Sequence, residues 1–208
     1  MIYKIPSPAA TDAGNVSVRC PACRQQGTFE PIGGIRDAAH GDMRFGQRRC
    51  PNPACRAQLF VCIDQNYRVV VSYPAERIDF DSTDIPASVM AALEEAITCH
   101  ANRCFVASAI MVRKCLEELC TERGATGGNL KERLKSLGNK VLLPNELING
   151  LDDLRLLGND AAHIESQAYQ KVGQEEVEVG IMFTKEVLKA VYQYKTLLAK
   201  LQALKKTP

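Results

Sequence analysis

Several features that would assign a protein class directly are missing from this sequence. No apolar run approaches the roughly 20 residues that a membrane-spanning helix needs, so no membrane contact is expected. The N-terminus has no basic segment followed by an apolar stretch, as a secretory signal would have, so we expect a cytoplasmic protein. The formal net charge is only +2, which is too small to indicate nucleic-acid binding by itself.

Short motifs of several enzyme classes are missing as well. The sequence has no Gly-rich phosphate loop between a strand and a helix, no nucleophile elbow and no His-Glu-x-x-His helix. The Gly-rich stretch 124–129 has no strand before it and is interpreted as a linker. With 208 residues, of which 46% are apolar, the chain is long enough for one ordinary domain and a second, small one.

Cysteine, by contrast, is abundant, with nine in the chain. Four of them form two close pairs, Cys20-Pro-Ala-Cys23 and Cys50-Pro-Asn-Pro-Ala-Cys55, which 26 residues separate. Without an export signal, paired cysteines bind metal more often than they form disulfides. Four thiolates at about 2.3 Å make a closed tetrahedral zinc site. We therefore predict that these four cysteines bind a structural Zn²⁺, with a disulfide or a chance pairing as the alternative.

The residues around the pairs predict a small β-module. Short apolar segments flank each pair, and the Pro residues within the pairs favour tight turns, so residues 16–63 are interpreted as a zinc ribbon. A polar stretch at 37–46 predicts a loop at its tip, and residues 58–63 and 67–73 predict two strands. The predicted segments are a flexible lead-in (1–15), the ribbon with its β-hairpin (16–73) and a linker (74–83).

Charge is distributed unevenly between the two parts of the chain. Residues 16–62 carry seven arginines against three acids, a formal +4, and four zinc-bound thiolates would reduce this to about +2. Residues 84–208 hold 16 basic and 16 acidic side chains. An arginine-bearing ribbon could contact phosphate, although a small module must also expose its charges to solvent.

Residues 84–208 predict an all-α bundle, which gives an α+β protein overall. Helical spacing begins near Asp84, and Gly124 and Gly138 are typical helix stops. Asn102 is predicted to cap the start of the second helix, and Asn129 with Glu132 is predicted to form a capping box at the start of a short third helix. The last helix starts near Gly173, and at roughly thirty residues it would be about 45 Å long. Because this is longer than the bundle needs, we predict a partner helix from a second copy, hence a homodimer. Its inward stripe is predicted to hold Val177, Ile181, Thr184, Leu188, Val191, Leu198 and Leu201.

Another predicted helix carries a polar constellation. Arg155, Asn159 and His163 are spaced at i, i+4 and i+8, within about 80° of one another. Such a trio can bind a phosphodiester, because Arg clamps the anion and His transfers protons near neutral pH. The structural alternative is close helix packing at Gly158, with the Asn and His capping or bridging loops.

The remaining cysteines and histidines show no metal-ligand spacing. Cys62 is interpreted as a strand residue under the ribbon, with a spare metal ligand as the alternative. Residues five apart on one helix diverge by about 140°, which is wrong for sharing a metal. His40 and His100 are isolated in sequence. The helical cysteines are therefore predicted to be small core residues: Cys99, Cys104, Cys115 and Cys120.

The helical part carries a distinctive set of residues: Glu95-Ala96, Ala107 through Arg113-Lys114-Cys115-Leu116-Glu117, Leu130, Leu154-Arg155 and Gly158-Asn159-Asp160-Ala161-Ala162-His163. In this pattern it resembles a bacterial family called domain of unknown function 4145, over about residues 84–200. Members often carry an N-terminal zinc ribbon, and the family is grouped with the HEPN superfamily of helical defence and toxin–antitoxin domains. The resemblance therefore implies a HEPN-like bundle, and many HEPN proteins are dimeric, metal-independent endoribonucleases with an Arg-polar-x-x-x-His motif.

This sequence departs from that motif at the arginine. Counting back from His163, the polar residue falls on Asn159, but the Arg position falls on Gly158, and Arg155 lies three residues earlier. We therefore expect a nucleic-acid-binding or interaction module in a bacterial defence or toxin–antitoxin context, with RNA, DNA or a partner protein as ligand. The alternative is a metal-independent endoribonuclease in which His163 is the general acid/base and Arg155 and Asn159 hold the phosphate.

Overall fold

The computed structural model describes residues 4, 9–141, 143–162 and 172–204, with 155–162 as helix backbone. The chain divides into two compact units, Met1–Asp79 and Phe80–Pro208. Within the described residues the first unit holds the strands and the second holds the helices. The predicted α+β class, with a β-region preceding a helical region, is confirmed.

The first unit is a seven-stranded antiparallel sheet. Its strand order is β1-β4-β5-β3-β2, and β6 pairs with β5 and with β7. Two hairpins, β2–β3 and β5–β6, contain the cysteine pairs in their connections. The strands are β1 Ala9–Thr11, β2 Val16–Arg19, β3 Gln26–Pro31, β4 Asp37–His40, β5 Met43–Arg49, β6 Gln58–Ile63 and β7 Val69–Tyr73.

Two parts of this sheet differ from the sequence prediction. The stretch 37–46, predicted as a loop, forms β4 and the start of β5, joined by a two-residue turn in which Gly41 has a φ of +57°. The lead-in 1–15 contains β1, which pairs with β4 through Ala9↔Ala39. Alanine has low β-propensity, so strand pairing rather than local preference forms both elements.

Buried and exposed side chains alternate along β2 and along part of β6, which gives the sheet one buried face. Val16, Val18 and Phe29 from β2 and β3 pack with Leu59, Val61 and Ile63 of β6 in one apolar cluster, which also includes Cys20 and Cys50. Because successive side chains of a strand point to opposite faces, the residues between these buried ones lie on the other face of the sheet. Phe60, which lies between two buried residues, is therefore exposed.

One ion pair is buried within the same unit. Arg48 of β5 is 0% exposed, and its Nη1 and Nη2 donate to the two carboxylate oxygens of Asp37 at 2.8 and 2.5 Å. Arg48 Nε donates to the Gly14 carbonyl at 2.7 Å. The Asp37 carboxylate occupies the space above Gly46, where a Cβ would lie 1.7 Å from its Oδ1. Glycine at this position therefore makes room for the pair.

The second unit is helical, as predicted. Apolar residues of α1 (Val89, Leu93, Ile97) and α2 (Val112, Leu116, Leu119) are fully or almost fully buried. None of the described helices combines the length and the apolar character needed to cross a membrane. The elements are α1 Ala87–Ala101, α2 Phe105–Glu122, α3 Leu130–Gly138, α4 Asn145–Ala162, α5 Gln174–Leu188, a π-helical turn Lys189–Gln193 and α6 Tyr194–Leu204.

Local signals explain most of the helix ends. Gly124 has a φ of +62° just after α2, and Asn129 caps α3 by accepting the Glu132 N–H at 3.0 Å, as predicted. Asn102, predicted to start the second helix, instead ends α1. Arg103 follows with a φ of +62°, and this left-handed residue turns the chain before α2 begins.

The last helix runs from 174 to 204 and changes geometry once. The predicted buried stripe is confirmed from Val177 to Leu188, but it then continues at Tyr192. The π-helical turn inserts an extra residue into the helical repeat. Leu198 and Leu201, predicted to face inward, are exposed. That prediction was wrong because α6 buries none of its described residues, so no helical period would have placed these leucines inside.

Side chains of the π-helical turn bind to other parts of the helical unit. The Tyr192 hydroxyl donates to Glu122 Oε2 at 2.6 Å, and the Arg123 guanidinium lies 4.2 Å from the Tyr192 ring centre. Burial raises the pKa of Tyr192 above its usual range, and the bond to Glu122 raises it further. Gln193 Nε2 donates to the Asp81 and Thr83 carbonyls at 2.8 and 3.0 Å. These bonds hold the wide turn in a defined orientation.

Candidate functional site

The four paired cysteines form one compact cluster. Their Sγ atoms all lie within 4.8 Å of one another. The closest contacts join the two pairs, because Cys20 Sγ lies 3.8 Å from Cys55 Sγ, and Cys23 Sγ lies 3.8 Å from Cys50 Sγ. All four are free thiols rather than disulfides. The predicted residues are thus brought together in an arrangement that can hold a metal ion.

Each cysteine pair lies in a tight turn between two strands. In the first, the Cys20 N–H donates to the Gln25 carbonyl at 2.9 Å; in the second, the Cys50 N–H donates to the Ala57 carbonyl at 2.8 Å. The residue after the second cysteine of each pair, Arg24 or Arg56, has a positive φ of 62° or 50°. The two turns therefore share one backbone pattern, which the sequence signals only as a repeated Cys-Arg dipeptide.

The thiols of the cluster differ in acidity. A hydrogen bond with the backbone at Gln25 lowers the pKa of Cys23 to about 7, whereas burial raises the pKa of Cys50 to about 12. Placing several thiolates together in a partly buried site is unfavourable unless a cation neutralises them. The chemistry of this donor set therefore fits a bound metal cation.

The polar trio on the fourth helix is described only in part. Arg155 and Asn159 lie four residues apart on the backbone of α4, close to one helical turn. His163 lies outside the described residues. The predicted role of these three residues stays a prediction.

The other cysteines are separate from the cluster. Cys62 is buried on β6, which fits its interpretation as a strand residue, and burial raises the pKa of Cys115 and Cys120 on α2 to about 12 and 11. Cys99 lies near the end of α1 and Cys104 just before α2, and the Cys104 N–H donates to the Cys99 carbonyl at 2.8 Å across the turn between the two helices. Cys104 is exposed, so its prediction as a core residue was wrong.

His100 is partly buried near the end of α1. Its ring centre lies 5.9 Å from that of Phe105, and its Nε2 has no hydrogen-bond partner among the described residues. Burial lowers the pKa of His100, against a smaller opposing effect of Glu178. The folded unit therefore favours the neutral imidazole.

This predicts a pH-dependent stability with a defined sign. Because the folded-state pKa is the lower one, the contribution of His100 is complete above about pH 6.5 and is lost as the pH falls towards the folded-state pKa. His100→Gln should flatten the free energy of unfolding between pH 7.5 and 5.5, with a change of at most about 1.4 kcal/mol per pH unit for one proton. Urea unfolding at both pH values measures this. His40→Gln, at an exposed position, is the control and should keep the wild-type slope.

An exposed aromatic pair on the sheet was missed by the sequence analysis. Phe60 of β6 and Tyr73 of β7 are directly opposite in the register, and they are 49% and 77% exposed. Gln47 pairs with Phe60 on its other side, and Arg49 pairs with Gln58 one step further along the same face. The alternation Leu59-Phe60-Val61, with an aromatic between two core residues, was the signal that could have identified this face.

The helical part of the chain matches a known protein family. Residues 94–207, more than half of the chain, match the family described as "Domain of unknown function (DUF4145)". Comparison with curated proteins and with solved structures gives no match. The matched residues include α2 to α6 and the Arg155–Asn159 segment, on which the sequence resemblance was based. The chain therefore belongs to the DUF4145 family.

Proposed function

We propose that the cysteine cluster binds Zn²⁺ and that the N-terminal unit is a zinc ribbon. Four sulfurs at about 2.3 Å from a tetrahedral metal are about 3.8 Å apart along each edge, and the two shortest sulfur–sulfur distances in the cluster are 3.8 Å. All four ligands would come from the protein, so no coordination position is open for substrate. The ion would hold the two cysteine turns together and would take no part in a reaction.

The function we propose for the whole chain is that of a nucleic-acid-binding module, in which the zinc ribbon docks on single-stranded RNA or DNA. The HEPN-like helical unit would act as a homodimer in a bacterial defence or toxin–antitoxin context. The observation that supports this function is the Phe60–Tyr73 pair. Exposed aromatics on a sheet face are a platform on which unpaired bases stack, whereas duplex bases are already stacked on one another.

Polar residues beside the aromatic pair suit the same ligand. Gln47 and Gln58 supply amide donors and acceptors on this face, and Arg49 supplies a cation that can contact phosphate. Glu30, opposite Arg49 in the register, offsets part of that charge. We therefore expect moderate affinity that is governed by stacking more than by charge, and weak dependence on base sequence.

The test is binding of fluorescent single-stranded oligonucleotides to the zinc-loaded full chain. Phe60→Ala and Tyr73→Ala should each raise Kd by about 5- to 150-fold, because stacking on an aromatic contributes about 1–3 kcal/mol per base. Tyr67→Ala removes an exposed aromatic from the turn between β6 and β7, away from the Phe60–Tyr73 pair, and should leave Kd unchanged. The proposal would be contradicted if the wild-type protein failed to bind, or if Phe60→Ala and Tyr73→Ala bound as tightly as wild type.

A second candidate is the endoribonuclease, favoured by the spacing of Arg155 and Asn159 on α4. In this reading His163 transfers the proton while Arg155 and Asn159 hold the scissile phosphate. RNA would be incubated with wild type and His163→Ala under brief EDTA treatment, with the zinc content checked afterwards. Cleavage by wild type alone supports the nuclease, and intact RNA with both proteins removes it.

A further inference from the structure

The last helix carries exposed apolar side chains in two groups, one on α5 and one on α6. Among its described residues, α6 has none that is buried. The exposed large apolar residues of α5 and α6, here called the C-terminal apolar strip, are Val179, Met182, Tyr194, Leu197, Leu198, Leu201 and Leu204. Exposed apolar residues that are grouped, as these are, mark an interaction site more often than exposed apolar residues that are scattered singly over a surface.

The strip occupies one side of the helix. At 100° per residue, its five members on α6 fall within about 120° of arc. On α5, Val179 and Met182 lie roughly 150° around the helix from the buried Val177 and Ile181. The helix therefore presents one apolar face to the bundle and a second, separate one to solvent, as a helix with a partner on both sides does.

Charge is segregated along the strip. On α5 the acids Glu175, Glu176, Glu178 and Glu186 outnumber the single Lys185. On α6 the charged residues are Lys195 and Lys200. Two such helices placed antiparallel bring the basic α6 of each copy against the acidic α5 of the other, whereas parallel helices bring like charges together.

We propose that the C-terminal apolar strip is the interface between two copies of this chain, packed antiparallel. Val179 and Met182 of one copy then lie against Leu197 and Leu201 of the other, with the two-fold axis near the π-helical turn. Such a pairing is isologous, so each copy buries the same residues. This inference rests on the homodimer named in the proposed function and gives that homodimer its interface.

An anionic membrane surface fits the same strip less well. The lysines of α6 would be attracted to acidic headgroups, but Glu175 and Glu176, at the Val179 end of the strip, would be repelled by them. A second copy satisfies both ends of the strip at once. The charge pattern therefore favours self-association.

Analytical ultracentrifugation of the full chain without nucleic acid tests the interface. Wild type should sediment as a dimer at micromolar concentration, and Leu197→Glu/Leu201→Glu should weaken the dimer by at least about 100-fold, since each variant acts twice in a symmetric interface. Ile35→Glu introduces the same acid at an exposed apolar position of the β-unit and should stay dimeric. A wild-type monomer at tens of micromolar overturns the proposal.

Charge reversal and cross-linking test the antiparallel order. Lys195→Glu/Lys200→Glu should weaken the dimer, and adding Glu178→Lys/Glu186→Lys on the same chain should restore it, because this pairing places Lys200 opposite Glu178 and Lys195 opposite Glu186. With p-benzoyl-phenylalanine in place of Leu197, light should cross-link the peptide that contains Met182. Cross-links between two copies of residue 197, or no restoration by the second pair of charges, overturn the antiparallel arrangement.

Other occupants are distinguished in the same experiments. Binding of the wild-type monomer to vesicles containing acidic lipid, lost in Leu197→Glu/Leu201→Glu, would overturn self-association and assign the strip to membranes. Failure of the nucleic-acid proposal is separable, because Phe60→Ala and Tyr73→Ala should leave the sedimentation of the dimer unchanged. A dimer that does not bind nucleic acid supports the interface while rejecting the ligand.

Discussion

Cys20→Ser/Cys50→Ser is expected to release the metal ion and unfold the N-terminal unit. The double variant removes one sulfur from each turn, and serine hydroxyls are poor ligands for a metal that prefers thiolates. Structural zinc sites contribute apparent binding energies of about 10–16 kcal/mol near neutral pH, which exceeds the total stability of most domains. Cys20 and Cys50 also belong to the buried apolar cluster, so the variant disrupts packing as well as coordination.

Metal content by mass spectrometry and amide hydrogen exchange measure the two consequences. Wild type should contain about one zinc per chain, and the variant should lose both the metal and the protection of β2, β3, β5 and β6. The control is Cys104→Ser, which removes an exposed thiol of the helical unit and should keep full metal content. Metal-free wild-type protein with a protected sheet would reject the zinc ribbon.

Arg48→Met is expected to have the next largest effect, about 3–5 kcal/mol of lost stability. The substitution keeps an apolar stem of similar length but leaves the Asp37 carboxylate buried without its two guanidinium donors. It also leaves the Gly14 carbonyl without the Nε donor. Removing one partner of a buried ion pair lowers the free energy of unfolding by far more than the intact pair contributes to it, because the other charge stays buried without compensation.

Denaturant unfolding of the zinc-loaded chain measures this, with Asp37→Leu/Arg48→Met as the informative comparison. The double variant removes both charges and should be less destabilised than Arg48→Met alone. Arg36→Met breaks an exposed pair with Asp12 and should cost less than about 1 kcal/mol. Equal losses for Arg36→Met and Arg48→Met would show that burial of the pair has no energetic consequence.

The features that were predictable from sequence were those fixed by local chemistry. The Cys-x-x-Cys and Cys-x₄-Cys pairs indicated the metal cluster, because two short cysteine turns of this spacing are typical of tetrahedral metal sites. Asn129 and Gly124 marked helix ends, since capping depends on a few adjacent residues. The helical period of α5 gave its buried face correctly from Val177 to Leu188.

The features that were missed depend on distant partners. Strands β1 and β4 contain four alanines between them and form because they pair with each other, and β4 also pairs with β5. The ion pair of Arg48 joins β5 to β4, and nothing in the local sequence distinguishes Arg48 from the neighbouring, partly exposed Arg49. The Phe60–Tyr73 pair required the register of β6 and β7, which pattern alone does not give.

The π-helical turn sets the rotational phase of everything that follows it. If Lys189–Gln193 closed to ordinary α-geometry, α6 would rotate about 100° on its own axis relative to α5. The leucines would then no longer align with Val179 and Met182. Tyr192 bonds to Glu122, and Gln193 bonds to the backbone of residues 81–83. These bonds keep the π-helical turn open and thereby fix the rotation of α6 relative to α5.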